Sequence, residues 1–447
     1  MADFAELGKE FGAYILKLTT EMMLGNPGSL SEMERDLRIK LQKMGQFLLG
    51  SWIMLQAKDD PNEHRKCPHC DGKAKYQYKR EATLLTVVGQ IKYQRAYYVC
   101  PDCRKGHYPL DIALGLRPGE ISAELESLSG MTGAQLAFGQ GSELFEALTL
   151  VSLSDHSMAK ATQAIGAEVK EQEIEWKAQS QDIDWLQTQK REAEHPKRLY
   201  GAIDAAKVHI RGEDGAVWRD MKVGAWFTTH MEPPTSPHED WEIRATDISY
   251  YCDIQPAEQF GDLIWATGCQ HQAQLAEELV FLGDGAEWIW NQVQTHYPKA
   301  TQIVDWFHAA QYIPPIAKAA FTDETQQQNW IRKVRTYLWE GQLDAVIAAC
   351  EHFSDHLQAG HDALTAITYF QNNRQRMDYA TYRAKGYQIG SGTIESGCKR
   401  IVTQRLKVPG AIWNLDGAVK TAKARAALLS GRWSDITARR AHLPLAA

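Results

Sequence analysis

The chain has 447 residues, 44% hydrophobic and 23% charged, which excludes disorder as the default and allows about two to four domains with a sizeable core. Its net charge is −7, so its surface as a whole is not built to neutralise phosphate. No apolar run reaches the roughly 18 residues that a membrane-spanning helix needs, and no membrane partner is expected.

The charge is uneven. Residues 374–440 hold 14 Lys and Arg against 4 Asp and Glu, a net +10, which fits either a DNA-facing surface or a solvated basic one. Residues 168–194 are acidic and read as a solvated helix. In chain order, residues 1–58 form a helical region, with Phe11, Tyr14, Ile15 and Leu18, then Met33, Leu37, Leu41 and Met44, at helical spacing. A polar linker with Pro61 follows.

Residues 59–110 hold two Cys pairs, Cys67-Pro-His-Cys70 and Cys100-Pro-Asp-Cys103, around strand-like runs at 84–88 and 91–99 with Gly89 and Gln90 as the turn. Thiolates at i and i+3 on two tight turns can complete a tetrahedron, the pattern of a zinc ribbon with a structural Zn²⁺ and no open coordination position. Met1–Lys9 contains acidic residues and no long apolar run follows, so no export signal is expected and paired Cys point to metal rather than disulfides. His69 and His107 are alternative ligands. Lys73, Lys75, Lys79, Arg80, Lys92 and Arg95 make the ribbon basic, for DNA contact or for protein contact.

Residues 111–196 return to helix. Leu153, Ser154 and Asp155 offer a turn and cap before a recognition-like stretch at 158–167, a possible helix-turn-helix or simply two packed helices. A long linker helix over 170–195 follows. Strands are expected at 199–203, 222–228 and 245–252, the last two joined by a Pro-rich loop at 231–237, then helix at 259–268 and 273–278, strand at 279–282, helix at 287–295 and strand at 301–304. Beyond this the chain is helical: residues 309–385 read as a helical insertion, residues 386–433 as the closing helices of the core, and residues 434–447 as a tail. The fold class is therefore α/β, a mixed five-stranded sheet in the strand order of an RNase H-like core (residues 197–308 being its first part) with a helical insertion, preceded by the helical region and the zinc ribbon.

Carboxylates fall at strand ends. Asp204 closes the apolar run Gly201-Ala202-Ile203, and a buried strand does not hold an unpaired Asp without cause. Asp284, between Gly283 and Gly285, and Asp305, opening Asp305-Trp306-Phe307-His308, compete as the second carboxylate at the edge where ligands gather in such sheets. Glu395 lies in Gly390-Ser391-Gly392-Thr393-Ile394-Glu395-Ser396-Gly397-Cys398-Lys399-Arg400, where a surface ion pair with Lys399 is the plain alternative to a catalytic role.

This order of motifs resembles the DDE transposases of bacterial insertion sequences, in particular the Kra-type insertion-sequence family, and more distantly the Mutator-like and hAT transposases. The resemblance runs from the Cys pairs to about Trp433 and implies that Asp284 is the second catalytic carboxylate and that Asp305 and His308 form an accessory C/DxxH motif. It implies Asp204, Asp284 and Glu395 as a catalytic set binding two Mg²⁺ (or Mn²⁺) ions for phosphodiester cleavage and strand transfer. Lys399, Arg400, Arg405 and Lys407 flank the set and would contact DNA phosphates. Partners implied are double-stranded DNA (the terminal inverted repeats and target DNA) and a second copy of the chain, in a bacterial, cytoplasmic and nucleoid-associated setting. Two other readings stay open, an RNase H-like nuclease without strand transfer and a non-enzymatic, transposase-derived DNA-binding regulator.

Overall fold

The computed structural model of the protein describes residues 4–25, 28–57, 62–232 and 242–441, so Pro61, most of the Pro-rich loop and residues 442–447 lie outside it. The chain forms two compact units, Met1–Ile165 with Ser434–Ala447, and Gly166–Trp433.

The first unit opens with helices Phe4–Leu24 and Leu30–Gln56, in contact through Phe11 and Tyr14 stacked on Phe47. A capping box starts the second helix: the Ser29 hydroxyl accepts from the Glu32 N–H and the Glu32 carboxylate accepts from the Ser29 N–H. One face of this helix buries Ile53 with Ala82, Leu84, Ile91 and Tyr93 of a four-stranded antiparallel sheet. The opposite face is bare. Met33, Leu37 and Leu41 are 48, 42 and 50% exposed, and the stripe continues 11 residues later through Met44, Leu48 and Trp52, of which the last two are 44 and 66% exposed.

The sheet runs β1 (Arg65–Lys66), β2 (Lys73–Thr86), β3 (Gly89–Val99) and β4 (Gly106–His107). Its central turn is Val87-Val88, two residues before the expected Gly89-Gln90, because Thr86 pairs with Gly89 across the hairpin. The Thr86 hydroxyl donates to the Gly89 carbonyl, and Gly89 takes a φ of +103° that a side chain would strain. Two basic residues expected to face DNA are already engaged: Arg95 forms a buried ion pair with Asp111, which also accepts from the Tyr93 hydroxyl, and Lys92 pairs with Glu81. The recognition-like stretch is part of one helix, Asp155–Gln179. Its Met158, Ala161, Thr162 and Ile165 are at most 1% exposed, which favours the packed-helix alternative.

The second unit is built on a five-stranded mixed sheet, β5 (Arg198–Gly212), β6 (Gly215–Glu232), β7 (Glu242–Asp253), β8 (Glu278–Gly283) and β9 (Thr301–Val304), in the order β7-β6-β5-β8-β9. The β5–β6 and β6–β7 pairs are antiparallel; β8 runs parallel to β5, and β9 to β8. The hairpin of β5 and β6 far outruns the expected strands. Its outer half is exposed along β6 while Val208 and Ile210 of β5 are buried, and it is held by cross-strand contacts such as Lys207 with Asp220 and His209 stacked on Trp218.

Side chains alternate across this sheet. The cross-strand row Tyr250, Ala225, Ala202, Leu282 and Ile303 faces the helix Gly392–Cys398, where Gly397 sits so close to Tyr250 that a Cβ would lie 2.6 Å from its ring. The other face packs on helices Ala257–Gln270 and Glu287–His296, with the Trp226 indole N–H donating to Thr267. Residues 306–384 are a helical excursion from the end of β9. The expected single helix over 170–195 is broken: helix Ile183–Glu192 restarts on an Asp182 cap. The expected helix at 273–278 is only a 3₁₀ turn, Ala273–Leu275, before β8.

Lys423, on helix Leu415–Leu429, has no solvent exposure. Its ammonium donates to Glu173, Asp253 and the Cys252 carbonyl at 2.5, 3.0 and 2.8 Å. Lying between two carboxylates, it stays charged despite burial, its pKa raised by Glu173 and Asp253. Lys423→Met strands both carboxylates and is expected to cost about 3–5 kcal/mol, read by denaturant unfolding. His271 supplies a pH-dependent term. Burial, and then Arg432, depress its pKa from 6.5 to about 4. The unfolded chain therefore binds the extra proton first, and stability present above pH 6.5 is lost as pH falls towards 4, by up to about 3 kcal/mol. His271→Gln should flatten this acid limb in urea midpoints measured from pH 4 to 7.

Candidate metal centres

The four cysteines converge at one end of the first sheet. Each pair sits on a turn of the same construction. Cys67 N–H donates to the Gly72 carbonyl and Asp71 N–H to the Cys67 carbonyl; Cys100 N–H donates to Lys105 and Arg104 N–H to Cys100. Asp71 and Arg104, at matching positions, both take a left-handed φ near +60°. Together the turns bring Cys67 Sγ to 3.6 Å from Cys103 and Cys70 Sγ to 3.5 Å from Cys100, with all four sulfurs within 4.8 Å of one another. A tetrahedron of sulfurs about 2.3 Å from one ion has edges of roughly 3.8 Å, so the set fits a metal ion closely. Burial raises the Cys67 thiol, but N–H groups of His69 and Cys70 and the neighbouring thiols outweigh it and bring it down to about 7. His107 is buried on β4 and is not among the converging donors.

The acidic centre lies at one edge of the second sheet. Ala202 pairs with Leu282 and Gly283 with Val304, so Asp204, Asp284 and Asp305 follow in register across β5, β8 and β9 on the face that carries the helix Gly392–Cys398. Asp204 does not end its strand as expected. It lies mid-strand in β5, at the level where the parallel neighbours β8 and β9 stop, and that stop opens the space beside it.

Burial pushes the Asp204 carboxyl above its usual range and the charge of Asp284 adds to this; the Ala205 N–H at 2.7 Å, the Cys398 thiol and His308 pull the other way. Cys398, one turn beyond Glu395 on the same helix, was not singled out as a contact from the sequence; its apolar helical position concealed the hydrogen bond to Asp204. Asp284 accepts one N–H, from Ala286 at 2.9 Å, and its other oxygen has no protein partner among the described residues. Gly285 takes φ +98° and Tyr369 donates to the Asp284 carbonyl, fixing the turn.

Asp305 stands in a different environment. It is fully buried, with one oxygen accepting from the His308 N–H and the other from the Ser391 N–H, 86 positions away. That bond, with Trp306 N–H donating to the Ile389 carbonyl, ties the entry of the last core helix to the end of β9. His308 then reaches Glu395, Nε2 to Oε1 at 3.4 Å, and the Ser391 hydroxyl donates to the same oxygen at 2.9 Å. Asp305, His308 and Glu395 offer ligand atoms within 4.8 Å of one another. Asp204 and Asp284 join no such close group with Glu395, so the three expected catalytic carboxylates share an edge without closing to that spacing. The alternative pairing of Glu395 with Lys399 is replaced by His308 and Ser391.

The expected phosphate contacts divide. Lys399, Arg400 and Lys407 are exposed around a π-helical turn, Lys399–Thr403. Arg405 is corrected: it is 1% exposed, with its guanidinium 5.3 Å from the Trp413 ring centre, and is a packed residue rather than a surface contact. Burial lowers its pKa to about 10.

Compared with known proteins, the chain matches no family model and no curated protein. Among the described residues no helix is long and apolar enough to cross a membrane.

Proposed function

We propose that the protein is a DDE-type DNA transposase of the insertion-sequence kind, with an RNase H-like core in which Asp204, Asp284 and Glu395 hold two Mg²⁺ or Mn²⁺ ions. The observation that carries this reading is the placement of Asp204 on β5 near Asp284, the residue that follows β8, under a helix whose Glu395 is held by His308 and Ser391. The donor set fits hard divalent ions: oxygen ligands, one carboxylate destabilised by burial and by its acidic neighbour, and one with an oxygen left open. Bound there, such ions would activate the attacking oxygen and stabilise the leaving one in phosphodiester cleavage and in joining of the 3′-hydroxyl. Asp204 would bridge the pair, and Asp284 and Glu395 would hold one each. Asp305 serves as a brace and His308 orients Glu395. Lys399, Arg400 and Lys407 would position the phosphate backbone.

The Cys67, Cys70, Cys100 and Cys103 cluster is read as a structural Zn²⁺ site, making the first sheet a zinc ribbon. Exposed Lys73, Lys75 and Arg80 on that sheet suit contact with the terminal repeats. A second copy of the chain is expected to cover the bare stripe on helix Leu30–Gln56, where Met33, Leu37, Leu41, Leu48 and Trp52 stand exposed on one face, the kind of apolar core a stable interface needs. Sedimentation should find a dimer at micromolar concentration, and Leu37→Glu with Leu48→Glu a folded monomer.

The test is an incubation of the protein with labelled duplex ends of its own genetic element, Mg²⁺ and a target plasmid. Cleaved and joined products are expected. Cleavage without joining would replace the proposal with a nuclease, and binding without either reaction would replace it with a regulator.

A further inference from the structure

Beside the acidic centre, on the side of Asp305 and His308, lies a groove of about 370 Å³ between the start of the helical excursion and helix Glu324–Trp339. Arg332, Arg335, Thr336 and Trp339 line it from one exposed face of that helix, and Trp306 forms its floor. Three features of the groove have no use within the fold. First, Arg332 and Arg335 lie one turn apart on the same exposed face, and neither has a carboxylate partner among the described residues. Second, the Trp306 indole N–H is buried and donates to nothing. Third, Phe307, next in sequence to Trp306 and in ring contact with it, is 66% exposed.

The aromatic rings are held rather than loose. Trp306 meets Phe307 and Trp339 edge-on at 5.2 and 5.4 Å, and Arg383 covers one face of Trp339 at 4.1 Å. Phe307 lies against Gly390, where a Cβ would sit 3.1 Å from its ring. An exposed ring beside two uncompensated cations matches a ligand with a flat π-face and regularly spaced anions. A duplex buries its base faces in the stack, whereas an unpaired strand presents base and phosphate together.

We propose that this groove binds single-stranded nucleic acid, with a base stacked on Phe307 and flanking phosphates on Arg332 and Arg335. The identity of that strand as a DNA end released at Asp204, Asp284 and Glu395 rests on the function proposed above; the binding site itself rests only on the groove.

The test uses the full chain and fluorescence anisotropy with a labelled 20-nucleotide oligothymidylate and a blunt 20-base-pair duplex, without added divalent ion and over a range of salt. Arg332→Ala with Arg335→Ala should weaken single-strand binding at least 10-fold and lower the salt slope by about 1.4, at roughly 0.7 per single-strand phosphate contact. Phe307→Ala should weaken it several-fold, and Phe307→Trp should restore it. The double Lys exchange at 332 and 335 should keep most of the affinity. Equal loss for duplex and single strand would overturn the proposal, as would unchanged binding in folded variants or no single-strand binding by the native chain. Cleavage assays separate the two claims. Native cleavage with no selective single-strand loss refutes the groove alone. Selective binding in a chain that cleaves nothing refutes the proposed reaction alone.

Discussion

Asp204→Asn is expected to lower metal-dependent DNA cleavage by at least about three orders of magnitude, some 4 kcal/mol of transition-state stabilisation, while leaving the fold intact or slightly more stable. Both halves come from its position. An amide cannot replace a carboxylate as a ligand of the divalent ions proposed for this edge. Burial beside Asp284 disfavours the charged form, so without divalent ion the neutral amide removes an unfavourable charge rather than a favourable contact. Denaturant unfolding in metal-free buffer, set beside the cleavage assay, reads the two effects separately. The same pair of measurements distinguishes Asp284 from Asp305. Asp284→Asn should lose activity at little cost in stability. Asp305→Asn should lose about 1–3 kcal/mol, because an amide nitrogen would then face one of the two N–H groups the carboxylate accepts. An active Asp284→Ala beside an inactive, stably folded Asp305→Ala would reverse the assignment.

Removal of zinc should melt half of the first sheet. The Cys end has a core of only Cys67, Ala74, Ala96, Tyr98 and Cys100, too little apolar surface to stand without a cross-link. The other end is packed on Ile53 and Leu110. A strong chelator, or Cys70→Ser, should therefore abolish amide-exchange protection in Lys73–Lys75 and Tyr98–His107 and preserve it in Ala82–Tyr93. Metal analysis should find one zinc per native chain. Uniform protection after metal loss would remove the structural role, for which zinc sites supply roughly 10 kcal/mol or more.

The elements of both units were legible where apolar period and turn chemistry agreed. The two CxxC turns, β8, β9 and the helices over 257–270 and 287–296 follow from local pattern. The length of β5 did not, because its outer half is held by cross-strand partners such as His209 with Trp218, which no single strand announces. The residues themselves left Asp284 and Asp305 open, since both follow an apolar strand, and only the resemblance chose between them; the contact of Asp305 with Ser391 depends on the return of the chain and has no local signal. Arg405 looked like its basic neighbours, yet the π-helical turn before it rotates it inward. The unpaired Arg332 and Arg335 passed unnoticed because sequence shows charge and not the missing partner.

The tie at Asp305 has a consequence for how this protein can change. The excursion from Trp306 to Ile389 has its two ends joined by the Asp305 carboxylate and the Trp306 N–H, and Tyr369, Tyr379 and Tyr382 within it donate to the carbonyls of Asp284, Val304 and Gln302 at the same sheet edge. Exchange or trimming of its helices is therefore expected to be tolerated only where those three hydroxyls keep their carbonyl partners, since the same bonds hold the backbone beside Asp284 and Asp305.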